Sequence, residues 1–219
     1  MIRISASALE SFRYWKSRED ATLDDLVADL TYAKPPAPRM DAGKALAAFF
    51  ERAANSRLTR PRHVDVEETP DWTFYFDLDA EISLPPLREL KGELLIMTPS
   101  GPVTLVGKVD SLDGLRVRDQ KLTENFDAER YLDSLQWRVY LVMHKAVAFT
   151  YDVFVAKYER TRAKDGVEGE LTGNVTIREY HPLTFYAYPG MRADVEAAVF
   201  ELADIITRYI PQLVIKEAA

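Results

Sequence analysis

Two aspartates and a lysine stand close together near the middle of the chain, in Gly107-Lys108-Val109-Asp110 and in Asp119-Gln120-Lys121. A turn signal, Asp113-Gly114, lies between them, so the segment reads as two antiparallel strands with Asp110 ending one and Asp119 ending the next. Carboxylates side by side on adjacent strands can hold one hard cation. Magnesium suits such a pair, because it takes one or two carboxylates and keeps waters and substrate phosphate oxygens as its other ligands. Lys121 lies two residues past Asp119 and therefore on the same face of an extended strand. Its ammonium could orient or help deprotonate an attacking water, or neutralise charge on a phosphorane-like transition state. An Asp-x-Lys triplet alone is common on solvated hairpins, so its neighbours decide its weight.

The elements that must position these groups follow from the hydrophobic pattern. Ser7 with Glu10 reads as a capping box opening a helix that carries Leu9 and Phe12. A helical stretch from Leu23 to Leu30 meets Lys34-Pro35-Pro36-Ala37-Pro38, which must be extended. A strong helix then runs from Asp41 to Ala54, with Gly43 near its start and Glu51 one turn after Ala47. Val64 to Leu84 alternates as a strand does, with Trp72, Phe74 and Phe76 on one side. Glu89–Met97 and Val103–Val109 predict a hairpin around Thr98-Pro99-Ser100-Gly101-Pro102, and Leu115–Gln120 a third strand. A single long helix is expected from Asp127 to Lys145, with Tyr131, Leu132, Leu135, Val139 and Val142 on one side. Val147–Tyr158 reads as a buried strand, Glu159–Gly173 as a loop, Val175–Tyr180 as a short strand, and Arg192–Tyr209 as an amphipathic helix. This order is mixed α/β.

The helix after Lys121 places Gln136 and Tyr140 four residues apart on one face. Taken together, Ser5-Ala6-Ser7, Gly43 to Glu51, Gly107 to Asp110, Asp119 to Lys121 and Gln136 to Tyr140 occur in an order that resembles the RecB-type branch of the PD-(D/E)XK nuclease superfamily, which includes phage exonucleases. The resemblance implies a single domain over residues 1–219, an α/β fold with a central mixed β-sheet flanked by helices, and a restriction-endonuclease-like core. It implies Asp110 and Asp119 as metal ligands, Lys121 as the catalytic lysine and Glu51 as a further acidic ligand. Gln136 and Tyr140 become substrate-side or site-supporting groups. The implied activity is magnesium-dependent hydrolysis of DNA, manganese being able to substitute, most plausibly by an exonuclease of phage or recombination type that hands single strands to an annealing protein. Many members carry a histidine four residues after the helix glycine, where this chain has Ala47. Three alternatives stay open: Glu51 takes over, one metal is held more weakly, or the site is degenerate. A degenerate site would make the chain a catalytically inactive module that binds nucleic acid or protein. An RNA-directed or structure-specific nuclease shares the chemistry and differs in substrate.

Composition narrows the classes further. Zero cysteines exclude disulfides, thiolate metal sites and the iron–sulfur cluster of some relatives. Three scattered histidines leave little for a histidine-rich zinc site, and His144 reads as a cap or surface group. No apolar run approaches the ~18 residues that span a bilayer, and the start lacks a secretory apolar segment. A soluble, cytoplasmic protein with no membrane partner is expected. The net charge of −7 opposes non-specific attraction to nucleic acid, although a metal-binding carboxylate cluster contributes to that count. Two basic clusters could grip phosphates: Arg57, Arg60 and Arg62, and then Arg160, Arg162 and Lys164 with Lys157 beside them. Glu89 and Glu93 lie on the strand before Gly107 and could approach the site. The three tryptophans read as core or interface residues.

Overall fold

In the computed structural model, residues 1–31, 33, 38–55, 66–78, 87–162 and 169–213 are described. They form an α/β fold in which a central mixed sheet is flanked by helices. The chain runs β1 (Ile2–Ser5), α1 (Ala6–Lys16), α2 (Leu23–Leu30), α3 (Pro38–Asn55), β2 (Val66–Glu68), β3 (Thr73–Phe76), β4 (Leu87–Thr98), β5 (Gly101–Asp113) and β6 (Arg116–Thr123). It continues through α4 (Ala128–Asp133), α5 (Leu135–His144), β7 (Ala148–Arg160), β8 (Leu171–Tyr186) and α6 (Met191–Tyr209). Among the described residues the sheet order is β1-β5-β6-β7-β8-β3-β2, with β4 paired to β5.

The arrangement around β5 decides where chemistry can occur. One edge of β5 is zipped to β4 along its length, from Leu87↔Leu112 to Thr98↔Gly101. The other edge is shared. β1 pairs in parallel with Val103 to Val106, and β6 pairs antiparallel with Ser111 to Asp113. Between them, Gly107, Lys108, Val109 and Asp110 have no strand partner on that edge among the described residues. The Gly-x-x-Asp segment therefore occupies a split in the sheet.

Two apolar clusters support this frame. One joins Leu9 and Phe12 of α1, Val139 and Leu141 of α5, and Val195, Val199, Leu202 and Ile206 of α6 to Val103, Leu105 and Phe149 of the sheet. The other packs Leu46, Phe49 and Phe50 of α3 on Phe74, Phe154 and Ile177, with the Phe50 and Phe154 rings stacked, their centroids 5.1 Å apart. Glycine lets α5 approach the sheet. A Cβ on Gly107 would lie 2.6 Å from the Tyr140 ring, and one on its register partner Gly92 would lie 2.6 Å from Met143 Sδ.

Several local expectations change. Ile2–Ser5 is a strand held by pairing to β5, a long-range contact that four residues alone do not signal. The cap of α1 is Ser5, whose Oγ accepts from Ala8 N at 3.0 Å, and Glu10 is engaged elsewhere. The expected Asp127–Lys145 helix is two helices, because Ser134 adopts an extended ψ of 137° and caps α5. Burial on α5 extends to Trp137, Tyr140 and Leu141 besides Val139, whereas Leu132 on α4 is exposed, since α5 is covered by α1, α6 and the sheet. The strands β7 and β8 run beyond their expected ends because they pair with each other nearly throughout. Trp72 and Trp137 are buried, and Trp15 packs against the first cluster. No helix among the described residues is long and apolar enough to cross a membrane.

Candidate active site

Beyond Ser111↔Arg118 the β5–β6 register would place Asp110 opposite Asp119, but the ladder stops there. Instead the Asp110 Oδ2 accepts the Gln120 amide at 2.7 Å, so a side chain takes over a backbone bond where the strands part. Asp119 is 3 % exposed. Its Oδ1 accepts from Gln136 Nε2 at 3.3 Å, and its Oδ2 lies 2.6 Å from Lys121 Nζ. That ion contact falls outside hydrogen-bond geometry and leaves Oδ2 buried with no hydrogen bond. The Lys121 side chain keeps 32 % exposure, and its ammonium stands 5.7 Å over the Tyr151 ring.

The electrostatics follow from burial and crowding. Burial, and then the charge of Asp119, push the Asp110 carboxyl up to about 7. Asp119 is also raised by burial, against the opposing pull of Lys121. Burial would depress the Lys121 ammonium, but Asp119, Tyr151 and Asp110 outweigh it and hold the lysine protonated. The pair of carboxylates is thus short of positive charge. Two carboxylates on neighbouring strands, one held by the Gln120 amide and the other by Gln136, form a donor set that fits a hard divalent cation.

A hydrogen-bond chain behind Asp119 fixes its support. Glu10 Oε2 on α1 accepts from Leu135 N at 2.8 Å and from Ser134 Oγ at 2.9 Å, pinning the α4–α5 break. Ser134 Oγ meets Tyr151 Oη at 3.0 Å, Tyr151 donates to Gln136 Oε1 at 3.5 Å, and Gln136 reaches Asp119. Tyr140 is one contact removed. Its hydroxyl donates to Lys108 O at 2.9 Å, satisfying a carbonyl within the split edge of β5. Gly107 lacks a Cβ where the Tyr140 ring lies, which gives the Gly-x-x-Asp pattern its packing reason.

The structure therefore brings Asp110, Asp119, Lys121 and Gln136 together, with Tyr140 bracing them. Glu51 is half-buried on α3 beside Phe50, and its charge is felt by Arg88. Among the described residues no three His, Asp or Glu side chains converge as a metal cage. Glu89 pairs with Lys108, and its charge also acts on Asp110; Glu93 pairs with Arg3 in an exposed bridge. His144, the last residue of α5, is half-buried, and burial lowers its pKa.

Arg160 and Arg162 sit apart from this cluster. Arg160 lies nine residues along β7 from Tyr151, the register partner of Asp119, a strand length of about 30 Å at ~3.3 Å per residue. It donates to Gly169 O at 3.0 Å, while Arg162 is exposed. Lys164 lies outside the described residues, as do Arg57, Arg60 and Arg62.

Sequence reasoning missed Arg88, Tyr151, Glu10 and Ser134. Arg88 pairs in register with Ser111, next to Asp110, and its Nε and Nη2 are buried without hydrogen bonds. Burial depresses its pKa, against the charges of Asp110 and Asp152. Its position on the strand before Gly107 is a signal, but only the pairing with Ser111 brings it near Asp110. A cleft of about 430 Å³ opens beside the split edge, lined by Arg3, Ser5, Ser7, Lys91, Lys108 and Tyr140 among others.

No family model matches the chain, and no curated protein matches it. Among solved structures, the crystal structure of SSO0001 is similar with a TM-score of 0.52 at 11% identity, over 95% of this chain and 78% of that one. LHK-Exo in complex with dAMP gives 0.43 at 11% identity, over 96% and 94% of the two chains. An alkaline exonuclease, LHK-Exo from Laribacter hongkongensis, gives 0.41 at 11% identity, over 97% and 95%. At this identity the likeness to SSO0001 is one of fold.

Proposed function

We infer that this chain is a metal-dependent nuclease that acts on DNA phosphodiesters as an exonuclease. The observation that carries the reading is the meeting of Asp110, Asp119 and Lys121 at the split edge of β5, with Gln136 bonded behind Asp119. Asp110 and Asp119 would hold magnesium, or manganese in its place. Bound there, the cation supplies Lewis-acid activation of a phosphate oxygen and of water.

The chain's own groups do the rest. Gln136 donates to Oδ1 of Asp119 and fixes that carboxylate from the α5 side. The Lys121 ammonium, protonated beside Asp119, orients the attacking water and offsets negative charge at the phosphorus. The cleft with Arg3, Lys91 and Lys108 offers cationic groups to the backbone next to the site. Released single strands would pass to an annealing protein.

The test is degradation of linear DNA by the purified protein with magnesium and with EDTA. Magnesium-dependent degradation that Asp119→Asn abolishes is expected, and an Asp119→Asn protein with the wild-type rate overturns the reading. A second reading, a binding module without catalysis, is favoured by Ala47 and by the lack of a third acidic or histidine ligand converging among the described residues. It predicts DNA binding with no cleavage under either condition.

A further inference from the structure

Past the active site, toward β3, the sheet is packed on one face only. Phe154, Ala156 and Tyr158 of β7 alternate onto the face buried against α3, together with Phe74, Val175 and Ile177 of the neighbouring strands. The residues between them, Val155, Lys157 and Glu159, turn to the opposite face, where Lys157 and Glu159 are exposed. That face is continuous with the site. Lys121 pairs in register with Val153, and Val153, Val155 and Lys157 share one side of β7 by the two-residue period. Lys157 therefore stands four residues along and one strand over from Lys121, about 14 Å at ~3.3 Å per residue and ~4.8 Å between strands.

A depression of about 330 Å³ lies on this face, lined by Tyr75, Lys157, Glu159, Asn174, Thr176 and Arg178. Lys157, Thr176 and Tyr75 form one register row across β7, β8 and β3. Arg178 is the unpaired residue of a bulge between the pairs Val155↔Glu179 and Ala156↔Ile177. Both cations are exposed and make no ion pair among the described residues. Tyr75 is 40 % exposed, and its hydroxyl has no hydrogen bond to a described residue. The carboxylate in the lining is already engaged, since Glu159 Oε2 accepts from Asn174 Nδ2 at 2.6 Å and from Thr172 Oγ1 at 2.8 Å. Glu179, beside Arg178 in the chain, lies 2.8 Å from His181 Nε2. Two free cations and a free hydroxyl thus meet on one face of a chain whose net charge is −7.

We propose that this sheet face grips the phosphate backbone of a duplex arm of the substrate, with Lys157 and Arg178 on phosphates about four base steps from the scissile one, at ~3.4 Å per step. The assignment rests on the nuclease reading above and extends it to DNA beyond the reacting bond. Charge complementarity selects a polyanion, and continuity with Lys121 selects the one being cut. The lining comes from three neighbouring strands and from no helix, so it offers donors along an open surface and no slot for an unstacked base. The outside of a duplex fits such a surface. The cleft with Arg3, Lys91 and Lys108 borders β5, on the other side of β6 in the sheet order, so the two cationic surfaces flank the catalytic strand.

The experiment measures binding without catalysis: fluorescence anisotropy of a fluorescein-labelled DNA duplex in EDTA, across a salt series, with the full chain. Lys157→Ala combined with Arg178→Ala, both changes at exposed side chains, is expected to flatten the dependence of log Kd on log salt by about 1.8, two phosphates at ~0.9 each. Arg192→Ala, at an exposed cation of α6 paired with Glu196, is the control and should leave the slope unchanged. An unchanged slope in the double variant overturns the grip. A control that flattens the slope as much per cation overturns it too, because the effect would then be one of net charge. Wild-type protein that fails to bind the duplex at low salt has the same consequence. Flattening with a single strand of the same sequence and not with the duplex overturns the assignment to a duplex arm. Flattening in the double variant with no cleavage in magnesium would instead retain the grip and remove the nuclease reading.

Discussion

The metal-free protein should become more stable when Asp110 loses its charge. Asp110→Asn keeps the shape, and its side-chain carbonyl can still accept the Gln120 amide that Oδ2 now takes at 2.7 Å. What it removes is a carboxyl pushed up to about 7 by burial and by Asp119. Moving a carboxyl from 3.8 to about 7 sets a ceiling of about 4 kcal/mol, at ~1.36 kcal/mol per tenfold in proton affinity. Solvent access and local relaxation bring the measurable share to about 1–3 kcal/mol. The sign is fixed by proton counting. Between about pH 4 and pH 7 the folded state holds a proton that the unfolded state has released, so wild-type stability falls as pH rises through that window and levels above it. At pH 8.5 in EDTA, Asp110→Asn is therefore expected to melt about 2–12 °C above wild type, at ~2–4 °C per kcal/mol for a chain of this size. At pH 5 the advantage should largely vanish, because the wild-type carboxyl is already neutral. With saturating magnesium the order should reverse, since only wild type gains binding energy, about 2.7 kcal/mol at a hundredfold excess over Kd. A variant that melts at or below wild type at both pH values in EDTA would refute the argument that the two carboxylates strain the empty site.

Lys121→Ala should lower the cleavage rate about a hundredfold or more, as expected on losing one charge that acts on the transition state, while magnesium affinity measured by calorimetry stays close to wild type. Gly107→Ala places a methyl 2.6 Å from the Tyr140 ring and should cost about 1–3 kcal/mol in a urea melt. Tyr140→Phe, which loses the bond to Lys108 O and the longer one from Gln136 Nε2, should cost about 1 kcal/mol; a Gly107→Ala protein as stable as wild type would contradict the packing account. Neutralising Arg160, Arg162 and Lys164 together should flatten the salt dependence of duplex binding by up to about three phosphates if that segment grips DNA away from the site, and an unchanged slope removes it from the interface.

The sequence alone determined the local part of this protein. The Asp113-Gly114 turn, the alternation on both sides of it and the two-residue step from Asp119 to Lys121 are short-range patterns, so they placed two carboxylates and an ammonium on neighbouring strands. Gln136 and Tyr140 were legible for the same reason, through the four-residue spacing of one helical face. Only the tertiary structure decided that β1 and β6 divide one edge of β5 and leave Gly107 to Asp110 in the split, because both pairings join segments far apart in the chain. It also decided that Glu10 serves α5 rather than its own helix start, and that Ser134 breaks the expected helix to suit Tyr151 and Gln136. The nearness of Arg88 to Asp110 came from strand pairing alone. Spacing within a segment predicts which side chains share a face. Which faces meet depends on burying apolar surface between distant segments, and that free energy has no signature in a short window of residues.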